Sequence, residues 1–178
     1  ATDTNPLAVD PATVLFEEAQ AFNDGLAVLS TLSPKTYVCH GDIAPDALVK
    51  ADDGNETSYH GFTGVHPAGN AGTHIHFLHP IGRGTTVWTI NYQDVIAIGK
   101  LFTTGRIHTE RLISLAGPAV ANPRLVRTHR GADLLELTAG ELNGDDNRII
   151  SGSVLSGRKA AGAVAFLGRF HNQVSALA

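Results

Sequence analysis

Five histidines fall within 20 residues, His60, His66, His74, His76 and His79, and imidazole is the side chain best suited to ligate a transition metal or move a proton near neutral pH. On a strand, His74-x-His76 would place two imidazoles on one face as zinc, copper or iron ligands; on a helix the same two point apart. No cysteine lies within the cluster, and the next acid along the chain, Asp94, is not at a ligand-like spacing. Capping and surface histidines are the expected reading, with a His-metal enzyme as a rival. Glycine offers a second chemistry. His66-Pro67-Ala68-Gly69-Asn70-Ala71-Gly72-Thr73 precedes a short apolar segment, and backbone N–H groups there could cradle an anion. The run is neither GxGxxG nor the phosphate-binding GxxxxGK[ST] loop, and Gly82-Arg83-Gly84-Thr85 is not one either, so both are read as turns.

No nucleophile has a readable partner. Ser114, Ser151, Ser153 and Ser156 sit in strand or turn contexts without a GxSxG elbow, and Cys39 lies in a strand where burial is the default. Catalysis by this chain alone is not expected. Arg124, Arg127 and Arg130 follow one another across a strand and its exit turn. Arginine holds carboxylate or phosphate through two parallel N–H bonds, so docking on an acidic partner surface or a lipid head group is one reading. Strand-edge charge that blocks aggregation is the other.

The elements that position these groups come from a chain of 178 residues, 43% hydrophobic and 17% charged, enough for one packed domain or two small ones. No apolar run approaches the roughly 20 residues that span a bilayer, and no secretory leader pattern is visible. The single Cys39 excludes an internal disulfide and any all-cysteine zinc or iron–sulfur site; a reducing, cytoplasmic setting is compatible. Charge is divided unevenly. Residues 1–99 hold 3 Lys/Arg against 11 Asp/Glu, and residues 100–178 hold 10 against 6, so the halves are expected to face different neighbours, the second an anionic membrane surface or an acidic protein partner. Nucleic acid is not an expected partner of an acidic chain without a dense basic run.

Asp10-Pro11 is a helix start, a side-chain cap followed by proline at the first helical position. Leu15, Ala19, Phe22, Leu26 and Leu29 then recur at helical spacing, an apolar face expected to pack on a sheet, and Ser33-Pro34 should end the helix. Gly25 inside it costs about 1 kcal/mol relative to Ala. Thr36 to Cys39 and Ser58 to Phe62 read as short strands, 42–57 as a polar surface loop, and Thr85 to Ile90 as a further strand. Asn91 caps a second long helix with Asp94 at its third position, an apolar set of Val95, Ile98, Leu101 and Phe102, and Gly105 as the stop. Residues 1–105 thus alternate helix and strand, as a Rossmann-like α/β domain does. TDTNPL leads directly into the first helix where a βαβ unit would have a strand, so a strand upstream is expected and the amino terminus should be a frayed or edge element.

From Arg106 onward the pattern changes. Glu110 to Ala116 and Pro123 to Thr128 are β-branched runs joined by a Gly-Pro turn; an amphipathic run and a third strand, Arg148 to Ser151, follow. This β-β-α-β order opens a β-grasp module over 106–178. Gly157 to Gly162 reads as a flexible loop, and Phe166 to Leu177 supplies a last strand.

The wording of several segments is more specific than their pattern. ERLISLAGPAVANPRLVRT, RIISGSVLSG, FLGRFHNQVSAL, HPAGNAGTHIHFLHP and TTVWTINYQDVIAIGKLFTTG resemble the NqrA subunit of the Na+-translocating NADH:quinone reductase, the bacterial respiratory sodium pump. The resemblance runs from Thr2 to the last residue, loosely around Asp42 to Thr57. Members of the NqrA family are longer at both ends, so this chain is expected to be the middle of one. The family is in turn similar to the flavoprotein component of respiratory complex I, which implies a short helix over Ala71 to Leu78 capped near Thr73, and a soluble-ligand-binding β-grasp domain after the α/β domain. The resemblance implies that this chain carries no metal of its own, and no cofactor is expected within it, while the whole complex uses NADH, flavins, an iron–sulfur cluster and ubiquinone. The complex I flavin glycine segment, its cysteine cluster and the Ser-Gly-Ala-Thr flavin-attachment sequence of sister subunits are all absent. Implied partners are the other pump subunits, the membrane-embedded ones included, with ubiquinone as a candidate ligand and Na+ bound elsewhere. The implied place is the cytoplasmic side of the bacterial inner membrane, peripherally. His66, Pro67, Gly69, Gly72 and Thr73 are the family-motif loop; Arg124, Arg127 and Arg130 are docking candidates. A free-standing small-ligand-binding β-grasp module is the alternative.

Overall fold

The computed structural model describes residues 2–41 and 56–178; of the polar loop expected at 42–57, positions 42–55 lie outside the described residues, and the last two open a strand. The chain forms an α/β unit with a parallel sheet and a separate unit built on a mixed β-sheet. The first gathers Ala1–Thr4 and Asp10–His108, the second Asn5–Val9 and Thr109–Ala178.

In the α/β unit, helix α1 spans Pro11–Ser30. The Asp10 carboxylate accepts the Ala12 N–H at 2.9 Å, satisfying one of the donors that every helix start leaves open. The helix ends at Ser30, short of Ser33-Pro34, where the hydroxyls of Ser30 and Thr31 donate to the carbonyls of Ala27 and Val28. Glu18 leaves helical geometry at φ −123°, ψ 25°. Its carboxylate meets Lys100 Nζ at 2.6 Å, on the helix that spans Tyr92–Thr104.

That contact belongs to a larger one. The apolar face of α1 is buried at Leu15, Phe22 and Leu26, but it packs chiefly on the Tyr92–Thr104 helix rather than on a sheet. Gly25 and Gly99 are the reason. A Cβ at Gly25 would run into the Val95 carbonyl, and one at Gly99 into the Ala21 carbonyl and the Gly25 amide. Helix axes usually sit 8–10 Å apart according to the side chains between them; glycine removes those side chains and brings backbone against backbone. The close contact also sets which face of the second helix is covered. Its buried stripe is Tyr92, Val95, Ile96 and Gly99, while Leu101 and Phe102, expected inside, are exposed. The ends of this helix follow from sequence: Asn91 Oδ1 accepts the Gln93 N–H at 2.9 Å, and Gly105 stops the helix at φ +70°.

Strands β1, Lys35–His40, and β2, Glu56–Gly61, pair in parallel with Tyr37 opposite Ser58 and Cys39 opposite His60. Helix α2, Ala71–Leu78, follows, beginning after Asn70 rather than at Thr73, and none of its residues is buried. Thr85 to Ile90 forms no strand. A ladder needs a partner, and among the described residues β1 and β2 pair only with each other; Trp88 stands 90% exposed. The Tyr92–Thr104 helix is then α3.

The second unit opens with strands β3, Glu110–Ala116, and β4, Arg124–His129, an antiparallel pair. Gly117 begins their connection at φ +124°, against the backbone of Ala176, where no side chain fits. A single helical turn α4, Leu134–Leu137, is capped by Asp133. Strand β5 is Arg148–Ser151, and the loop expected at 157–162 contains the short strand β6, Arg158–Lys159, paired with β5. A 3-10 turn at Gly162–Val164 leads toward β7, Gln173–Leu177. The sheet order is β4-β3-β7-β5-β6, with β7 parallel to β3 and antiparallel to β5. Ile113, Leu115, Leu134, Leu167 and Val174 form the core. Residues 5–9 belong here because Gln173 Nε2 donates to the Pro6 carbonyl at 3.0 Å.

Candidate functional site

Four histidines of the run contact neighbouring groups, two of them the same tyrosine. His60 Nε2 lies 2.9 Å from Ser58 Oγ, and His79 Nδ1 3.3 Å from the Tyr37 hydroxyl, whose ring also packs against both imidazoles. His74 Nε2 donates to the Ala68 carbonyl at 2.8 Å and its ring packs on Phe62. Burial holds the His74 pKa below the usual imidazole range, against the opposing pull of that carbonyl. His76 meets the edge of the Phe77 ring. His74 and His76 lie on helix α2, not on a strand. Among the described residues, no three His, Cys, Asp or Glu side chains are gathered as a metal ion would require.

The family-motif loop connects β2 to α2 and is fastened largely by its own bonds. The His66–Pro67 peptide is cis. Ala68 N–H donates to Val65 O and Asn70 N–H to Pro67 O; the Thr73 hydroxyl also donates to Pro67 O, at 2.9 Å. Gly69 N–H donates to Thr4 Oγ1 at 2.9 Å, and a Cβ at Gly69 would sit 2.7 Å from the Thr4 nitrogen. Gly69 is therefore a packing glycine, whereas Gly72 faces open space. His66 Nδ1 is buried with no hydrogen-bond partner among the described residues. The loop's amides at 68, 69 and 70 are already bonded and so do not form an anion cradle.

The arginines of the second unit are held by neighbouring acids. Arg124 grips Glu141 with both guanidinium nitrogens, at 2.6 and 2.7 Å. The pairing raises the Arg124 pKa and lowers that of Glu141. Arg127 reaches Glu110 on β3 at 3.0 Å. Arg124 and Arg127 lie on the edge strand β4, and Arg130 follows at its exit. All three sit on one border of the sheet, the first two with their guanidinium groups oriented by carboxylates.

One contact carries no signature in the sequence. Ser151 Oγ lies 2.7 Å from His171 Nδ1, twenty residues later, and accepts the Gly168 N–H at 2.9 Å. Gly152, at φ +97°, and Gly168 both press on the imidazole, so a side chain at either would strike it. Burial depresses the His171 pKa and the Arg158 charge lowers it further. The pair has the composition of a nucleophile and its base, but Ser151 is fully buried and no substrate atom could reach it. Its role is mechanical: it pins the loop after β5 to the loop before β7. The only hints along the chain are the glycines at 152, 157 and 168, which make such closeness possible.

Residues 1–107 match the family model described as NqrA second alpha/beta domain, and residues 112–162 the one described as NQRA C-terminal domain. Among curated proteins, the NqrA-type subunit of the Na(+)-translocating NADH-quinone reductase of Saccharophagus degradans is 58% identical over 99% of this chain. Those of Cellvibrio japonicus and Marinomonas are 56% and 57% identical over the same share. In each case the chain spans 39% of the relative's length.

Proposed function

This chain belongs to the NqrA family of the Na+-translocating NADH-quinone reductase, and from that premise we propose that it is the central part of such a subunit. The whole complex oxidises NADH, reduces ubiquinone and exports Na+; this part is a scaffold that docks on the other subunits, with flavins, iron–sulfur cluster and quinone chemistry carried by the rest of the assembly. In this reading residues 1–105 are a Rossmann-like domain and 106–178 a β-grasp domain of the soluble-ligand-binding kind, an architecture shared with an electron-transfer protein but used for assembly. The protein sits peripherally on the cytoplasmic face of the bacterial inner membrane. No helix among the described residues is long and apolar enough to cross a membrane. Arg124, Arg127 and Arg130, on and just after the edge strand, are the docking residues for an acidic partner surface. The loop from His66 to Thr73, closed largely by its own hydrogen bonds, is a candidate contact surface, and ubiquinone is a candidate ligand of the protein as a whole.

The observation that carries this reading is identity above one half that extends through both units of the chain. The test is purification of the full-length protein from detergent-extracted membranes by a tag on this subunit. Recovery of the membrane subunits, with the tagged protein itself colourless once they are stripped away, supports the scaffold. Recovery of the tagged protein without them, carrying a tightly bound flavin, metal or small ligand, overturns it.

A further inference from the structure

The two loops pinned by Ser151 and His171 form a surface of unusual composition. From Asn147 to Ala178 the sequence contains no Asp or Glu, yet Arg158, Lys159 and Arg169 are all exposed there. Beside them, Phe170 is 75% exposed, Leu155 58% and Phe166 44%. The exposure is built in. Ala165 and Leu167 point into the core, so Phe166 between them must point out. The Arg169 guanidinium lies over the Phe170 ring, 4.9 Å from its centroid. Arg158 Nη2 donates to the Phe166 carbonyl at 3.2 Å, tying the first loop to the second.

The stretch carries cations and no acid of its own, and Asp133, bridged to Phe166, has its carboxylate engaged in capping α4, which leaves an excess of positive charge; bulky apolar side chains in water also leave burial unrealised. Both conditions are relieved by a layer that is anionic at its face and apolar just behind it. We propose that the loops at residues 152–159 and 166–171 form a site that seats on an anionic lipid bilayer. Arg158, Lys159 and Arg169 lie among the phosphates, and Leu155 and Phe170 enter the boundary between head groups and acyl chains. A protein partner is the less fitting occupant. Leu155, beside the exposed Val154, and Phe170 stand on separate turns with Arg158, Lys159 and Arg169 near them along the chain, whereas protein interfaces gather apolar side chains into a core depleted of charge with a polar rim. Arginine and lysine stems reach from such positions toward head groups while their own carbons lie along the apolar layer.

The proposal deepens the reading of a membrane-peripheral protein and rests on it, while its test needs no other subunit. Full-length protein is sedimented with vesicles of phosphatidylcholine, alone or mixed with phosphatidylglycerol. We expect binding only with phosphatidylglycerol, weakened by salt. Lys159→Glu with Arg169→Glu should weaken it by about tenfold or more. Phe170→Ser, which leaves the charge intact at an exposed position, should weaken it as well, with an unchanged unfolding midpoint for each variant. Equal binding to both vesicle types, no binding to either, or variants that bind as the parent does would overturn the lipid site. So would variants that still bind vesicles but no longer retain the membrane subunits, since that marks a protein interface. Failure to recover those subunits with the parent protein would instead strike the sodium-pump reading.

Discussion

Gly99 on α3 faces Gly25 on α1 so closely that a Cβ on Gly99 would lie 2.8 Å from the Gly25 amide nitrogen. Either glycine alone weakens a helix by about 1 kcal/mol relative to Ala, yet here the pair permits the contact on which the α/β unit is built. Gly99→Ala should therefore raise helix propensity and still destabilise, by about 1–3 kcal/mol, because the methyl must force two backbones apart. A urea midpoint that rises on this substitution would show that the helices do not meet as described.

Ser151→Ala removes the buried hydroxyl that receives the Gly168 N–H and contacts His171 Nδ1. Leaving a buried donor without its partner costs about 1–3 kcal/mol. Hydrogen exchange at the Gly168 amide should accelerate more than exchange in β3, which lies elsewhere in the sheet. Uniform acceleration across the unit would mean that Ser151 contributes to the core as a whole and does not act as a local fastening.

Acid should weaken the protein before its carboxylates titrate. His74 and His171 are both held below the ordinary imidazole range, His74 by burial and His171 by burial and then by Arg158. In the unfolded chain each binds a proton near its ordinary pKa of about 6.5; in the folded chain each binds it only at lower pH. Stability from these two groups is thus complete above that value and is lost as pH falls through the depressed folded values. The unfolding midpoint should drop between about pH 7 and pH 5.5, and His171→Gln should flatten the slope.

Burial pushes the Cys39 thiol pKa up, and the thiolate is the reactive form. Alkylation by iodoacetamide at neutral pH should be slow in the folded protein and should reach the rate of an ordinary thiol only after unfolding. Rapid labelling of the native chain would contradict the placement of Cys39 on β1 opposite His60.

Arg124→Ala and Arg127→Ala break exposed pairs with Glu141 and Glu110, a class of interaction that adds little to folding. Their unfolding midpoints should match the parent's. If the edge of the second unit docks on acidic partner surface, the same variants should retain less of the other subunits during purification, and in a manner that salt reproduces.

Elements set by local chemistry were legible in the sequence. The Asp10-Pro11 start, the Asn91 cap and Gly105 stop, and the strands over Glu110–Ala116 and Arg148–Ser151 all rest on residues within a turn or a run. Features set by distant partners were not. Nothing near Gly25 announces Gly99, so sequence alone points its helix at a sheet; Thr85 to Ile90 has strand composition but no strand partner among the described residues; and Ser151 meets a histidine twenty residues away. The histidine run shows the same limit. Spacing along a chain proposes a cluster, but in the fold His74 and His76 meet Ala68 with Phe62 and Phe77 respectively, while His60 and His79 flank Tyr37.

The placement of β7 has a consequence for how this protein is made. It lies between β3 and β5, so the hairpin that begins at Glu110 and the pair that begins at Arg148 have no shared neighbour until Gln173–Leu177 leaves the ribosome. The two halves of this sheet can therefore be joined only once Gln173–Leu177 is present, whereas α1 and α3 both precede the whole of it in the chain.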